Sequence, residues 1–139
     1  MRSHPMLGTL LLVSACGGGT YFTTLTAAPS SSPPDALACA KAKISQLGYQ
    51  QTSLDQTEPR LTARKIDNSV RRADPTFRRN VNRLEIEAVA GADGKTALKV
   101  IGHTFAEYST QRGPTEVEEK ASEDVRQTAQ AVVESCGKS

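Results

Sequence analysis

The residues able to do covalent, acid-base or ionic chemistry in this chain are three cysteines, two histidines and a clustered set of arginines and carboxylates. His4 and His103 lie far apart, and the nearest acid downstream of His103 is Glu107. A general base needs a partner and a substrate within hydrogen-bond reach, so His103 reads as a structural or surface histidine. Glu85 and Glu87 share one strand face at period two, a spacing that suits an acid and base pair. Solvent-facing alternation explains the same spacing without chemistry. The sequence carries no phosphate loop, nucleophile elbow or metal-ligand spacing. No catalytic residue, metal ligand or cofactor is assigned, and a non-enzymatic protein is expected.

Charge is placed unevenly. Residues 60–83 carry Arg60, Arg64, Lys65, Arg71, Arg72, Arg78, Arg79 and Arg83 against Asp67 and Asp74. Residues 107–124 carry Glu107, Glu116, Glu118, Glu119, Glu123 and Asp124 against Arg112 and Lys120. Two poles of opposite charge are expected. Arg71, Arg72, Arg78 and Arg79, around Asp74-Pro75-Thr76-Phe77, make a candidate anion site, because arginine forks match phosphate and carboxylate. Lipid head groups, lipopolysaccharide phosphates and an acidic protein patch are the candidate ligands. The alternative is a loop whose arginines keep it solvated or pair with the acidic helix. Net charge is only +2, and loss of residues 1–15 removes Arg2, so the sequence argues against binding nucleic acid through bulk charge.

At the N-terminus, Arg2 and His4 precede an apolar run over residues 6–13, the layout of a secretory signal. Eight residues rise about 12 Å as a helix, far short of the roughly 30 Å of bilayer hydrocarbon. The run ends in Val13-Ser14-Ala15-Cys16, which resembles the lipobox of bacterial lipoproteins. That resemblance implies removal of residues 1–15 as a signal peptide, a diacylglyceryl group on Cys16 and acylation, such as palmitate, at the new amino group. Two or three acyl chains hold a protein stably on a membrane. Gly17 stands where an aspartate favours inner-membrane retention, so the resemblance implies the outer membrane with the domain facing the periplasm.

Residues 16–34 read as the lipidated cysteine and a flexible linker, uncharged and ending in proline. Its mean span is about 25 Å. Tyr21, Phe22 and Leu25 are a short apolar patch in it, either touching the membrane interface or packing on the domain.

Residues 35–139 read as a single α+β domain. Asp35 caps a helix whose stripe is Leu37, Ala40, Ile44 and Leu47, ended by Gly48. Residues 49–54, 61–66, 83–90 and 96–105 read as strands, the last two joined by a Gly91-Ala92-Asp93-Gly94 turn. Thr115 and Glu118 have the spacing of a capping box for a last helix with the stripe Val117, Ala121, Val125, Ala129, Val132 and Cys136. The expected architecture is an antiparallel sheet of about four strands with N- and C-terminal helices packed on one face.

With Cys16 assigned to lipid, Cys39 and Cys136 remain in an oxidising compartment and are expected to form a disulfide. A redox pair or metal site is the alternative, but no Cys-x-x-Cys or second nearby ligand accompanies them. Helix, strands and helix behind a lipobox resemble several families of small envelope lipoproteins. At fold level only, the order resembles the helix-grip domains of the lipoprotein subunit of the outer-membrane protein assembly machine. These resemblances imply a binding or scaffolding role in the cell envelope, with a partner such as an envelope protein or anionic lipid met through the sheet or the arginine-rich loop. A small-ligand or anionic-lipid binding module is the alternative.

Overall fold

The computed structural model describes residues 21–138, so the segment expected to be a signal peptide, residues 1–15, and the expected lipidation site Cys16 lie outside the described residues. The elements run β1 (Thr23–Ala27), α1 (Pro33–Gln46), β2 (Gln50–Asp55), β3 (Arg60–Asp67), β4 (Phe77–Ala90), β5 (Thr96–Thr110), β6 (Gly113–Glu119) and α2 (Glu123–Cys136). Mixed α+β is the class expected. The sheet is antiparallel and six-stranded, ordered β1-β5-β4-β3-β2, with β6 also paired to β5.

Two strands exceed the four expected. β1 lies inside the segment read as linker, where Thr-Thr-Leu-Thr-Ala pairs from Thr23↔Gly102 to Ala27↔Leu98. Its alternation is too short to stand out beside the surrounding Gly, Ser and Pro. β6 occupies the stretch read as the start of the last helix, running from Thr110↔Gly113 to Thr104↔Glu119. Thr115 and Glu118 are therefore strand residues, and Val117 is exposed on an edge rather than buried in a helix stripe. β1 and β6 lie end to end along the same side of β5, one on each half.

The helix starts also move. α1 is capped by the Ser32 hydroxyl, which accepts from the Asp35 amide at 3.4 Å, with Pro33 and Pro34 in the first turn. Proline fits there because those amides have no helical partner. α2 begins at Glu123 because Ser122 is held on the sheet. Its hydroxyl donates to Asn82 Oδ1 at 2.9 Å and accepts from the Val125 amide at 3.2 Å. Its own amide donates to Thr104 Oγ1 at 2.8 Å, and Thr104 donates to Asn82 at 2.8 Å. A buried network of this kind stabilises only when every member is satisfied. Asn82→Ala removes the shared acceptor, and a loss of about 2 kcal/mol is expected from stranding the buried hydroxyls. Urea unfolding midpoints at unchanged m-value measure it.

One cluster forms the core. Ala36, Leu37, Ala40 and Ile44 of α1 and Val125, Ala129 and Val132 of α2 meet Leu61, Ala63, Leu84, Ile86, Ala88, Leu98 and Val100 of the sheet. Cys39 and Cys136 are bonded across the two helices, with Cα atoms 5.7 Å apart and a separation of 97 in sequence. At the other end of the helix pair, in the first turn of α2, Tyr49 donates to Asp124 at 2.8 Å. Burial, then the Asp124 carboxylate, pushes the Tyr49 phenol well above its usual range.

Candidate functional site

Strand alternation turns one set of side chains into the core and the other to the opposite, helix-free face. On that face the register builds cross-strand rows: Arg60, Glu87 and Lys99; Thr62, Glu85 and Ile101; Arg64, Arg83 and His103; Ile66, Val81 and Phe105; Arg79, Glu107 and Glu116. The first row alternates in sign, and Arg60 meets Glu87 at 2.5 Å. The third places two arginines and a histidine side by side, and like charges directly opposite are unfavourable. Partners on β6 relieve it. Arg83 reaches Glu116 at 2.8 and 2.6 Å and lies over the Phe105 ring, 4.6 Å from its centroid. His103 Nδ1 donates to Glu118 at 2.7 Å.

Phe22, just before β1, turns onto the same face, its ring 5.3 Å from that of His103, which in turn stacks 6.0 Å from Phe105. The result is an aromatic strip running in from the sheet edge. A shallow groove of about 380 Å³ lies beside it, bordered by Thr52, Thr62, Arg64, Arg83, Glu85 and His103. Thr62 shares hydrogen bonds with Thr52 at 2.7 Å and Ser53 at 2.6 Å, fixing the β2 side of the groove. Arg64, Glu85 and Lys99 are exposed and have no ion-pair partner among the described residues. This surface offers charges of both signs and an aromatic strip.

The four arginines of the candidate anion site are not drawn together into one cradle. β4 starts at Phe77, so Arg78 and Arg79 are strand residues rather than loop residues. Both converge on buried Glu107, with Arg78 Nη1 at 3.1 Å and Arg79 Nε at 3.3 Å from Oε1. Arg72 forks onto Glu119, donates to the Tyr108 hydroxyl at 3.1 Å and covers Phe77 at 4.6 Å. The Glu119 contact pushes its guanidinium further above its usual range. Arg71 turns back to the Asn68 carbonyl at 2.5 Å. The loop is pinned at both ends by aspartates, Asp67 on Ser69 and Asp74 on Thr76, and these hydrogen bonds hold both carboxyls below the usual range.

The two expected poles of charge are in fact interleaved. β5 lies between basic β4 and acidic β6, and Arg72, Arg78, Arg79 and Arg83 meet acids of β5 and β6 rather than of the last helix. The sequence did carry a signal for this, since Glu116 and Glu118 alternate with Val117 and Glu119 at the period of a strand. His103 finds its acid in Glu118, not Glu107. Glu85 and Glu87 share the face expected of them, and Glu87 is taken by Arg60.

Set beside models of protein families, curated proteins and solved structures, the chain matches none. Functional reading therefore rests on the residues themselves.

A second concavity lies at the other side of the domain, where α1 passes the turn between β2 and β3. It measures about 480 Å³ and is lined by Pro34, Leu37, Ala38, Leu54, Pro59 and Leu61, with Lys41 and Gln56 at its polar margin. No helix among the described residues is long and apolar enough to cross a membrane.

Proposed function

We propose that this chain is a non-enzymatic envelope lipoprotein, anchored through lipid on Cys16 with its domain facing the periplasm, that docks a partner protein on the helix-free face of its sheet. The observation that carries the docking reading is the set of exposed, unpaired Arg64, Glu85 and Lys99 beside the strip of Phe22, His103 and Phe105. Specific interfaces combine aromatic and arginine anchors with a polar rim, and this face supplies both. The anchor reading is supported by Val13-Ser14-Ala15-Cys16 behind an apolar run and by Gly17 after it.

A photo-cross-linking residue placed at Thr62 or Glu85 in the membrane-bound protein is expected to give a discrete adduct that Arg64→Glu weakens several-fold. The same residue at Gln130 or Ala131, on the outer side of α2, is expected to give none. Equal labelling from both faces would sink the docking reading, and a Cys16→Ser protein still in the membrane fraction would sink the anchor.

A second reading has one observation in its favour. The groove beside α1 is largely apolar with Lys41 at its rim, the arrangement a small apolar anion needs. Fatty-acid titration against the wild type and Leu54→Asp separates this reading from the first.

A further inference from the structure

Between β6 and β1 the long edge of the sheet is interrupted at its middle, and there the chain enters from Cys16 and leaves toward α2. The Ala121 amide donates to the Tyr21 carbonyl at 2.6 Å, tying entry and exit together. From Cys16 to Tyr21 there are five peptide steps, which extend at most about 18 Å. A domain of this size has a radius of gyration of about 13 Å and is thus roughly 35 Å across. An acylated Cys16 would hold this edge within about half a domain width of the lipid, whatever path the connecting residues take.

The chemistry of the edge suits that position. Among the described residues four large apolar side chains are exposed, Tyr21 (60%), Phe22 (42%), Val117 (53%) and Val89 (49%). The first three belong to this edge, and Val89 sits at the end of β4, away from the entry point. Two of the acids here have arginine partners that mute repulsion from anionic lipid, Glu116 with Arg83 and Glu119 with Arg72, and Glu118 is hydrogen-bonded by His103. Lys120 is exposed and has no carboxylate partner among the described residues. Aromatic rings with a lysine beside them are what the water-lipid interface accommodates best, rings in the boundary layer and ammonium among head groups.

We infer that the β1 and β6 edge rests on the phospholipid surface, with Tyr21 and Phe22 in the interfacial layer and Lys120 at head-group level. The inference rests on the anchor reading and deepens it. With that edge down, the sheet stands on the bilayer and its helix-free face looks sideways, toward a partner held in the same membrane.

The chain has no tryptophan, so a single one reports its own surroundings. The full-length, acylated protein carrying Phe22→Trp, Tyr21→Trp or Val89→Trp would be reconstituted into vesicles of phosphatidylethanolamine and phosphatidylglycerol with brominated acyl chains. Bromine quenching at position 22 or 21 is expected to exceed that at 89 by about threefold or more, with blue-shifted emission, because only interfacial rings approach the chains. The Tyr21 variant covers the case in which Phe22→Trp perturbs packing on His103. Equal quenching at all three positions, with Cys16 acylation verified by intact mass, overturns the contact of this edge with lipid and leaves the anchor standing. An unacylated mature protein overturns both.

Discussion

Replacing both Cys39 and Cys136 with serine is expected to lower the melting temperature by about 15 to 20 °C. The bond closes 97 residues, and the chain-entropy relation assigns such a loop about 4 to 5 kcal/mol of stabilisation through the unfolded state. A domain of this length unfolds with an entropy of about 0.25 kcal/mol per kelvin, which converts that energy to the stated shift. Little else compensates, because aromatics are 4% of the chain and tryptophan is absent. The helix contribution to the core is largely alanine and valine, and these bury little area per residue. Scanning calorimetry of the double variant, compared with wild type before and after reduction, measures the effect. A shift below about 5 °C would mean that packing alone holds α1 against α2, contrary to the entropy account.

Gly102→Val is the second large effect, with an expected loss of about 3 kcal/mol and a smaller one for Gly102→Ala. Gly102 is not among the glycines with positive φ, so its backbone is one any residue adopts. What it provides is absence of volume. A Cβ there would lie 2.8 Å from Val125 Cγ2 and 3.1 Å from Thr23 Cγ2. Helix α2 and strand β1 thus approach β5 at the same point, and a side chain would lift both. Val125→Ala is expected to cost stability alone yet to recover part of the Gly102→Ala loss, giving a favourable coupling in a double-mutant cycle. Strict additivity in urea denaturation would place the strain elsewhere.

The sequence made some of this legible and hid the rest for identifiable reasons. The β4 and β5 hairpin showed plainly because Leu84, Ile86 and Ala88 alternate with charged neighbours and Gly94, at φ +77°, closes the turn. The cysteine pair was legible from the two helices that carry it and from the oxidising compartment expected of the chain. Missed were features decided by distant partners. β1 is five residues of weak pattern that make sense only against Leu98 to Gly102. Thr115 and Glu118 satisfied the local grammar of a helix cap, and Ser122 won because Asn82 and Thr104 reach it from the central strands. The runs of like charge stood out in the sequence, but the two poles expected of them interleave across the sheet. Their pairing across β5 depended on a strand that the capping signal had masked. The aromatic strip was missed because Phe22, just before β1, meets His103 and Phe105 of β5 only through the pairing of β1 with β5.

Strand β1 also sets the order in which the fold can close. β1 has no partner until β5 exists some seventy residues later, and Cys39 must wait for Cys136, near the end of the chain. Contacts of such long sequence separation form late, after the loop-closure entropy has been overcome. β1 can find its place only after β5 has been made. With the anchor proposed above, the lipid would be the first thing fixed, and the fold would close upon it last.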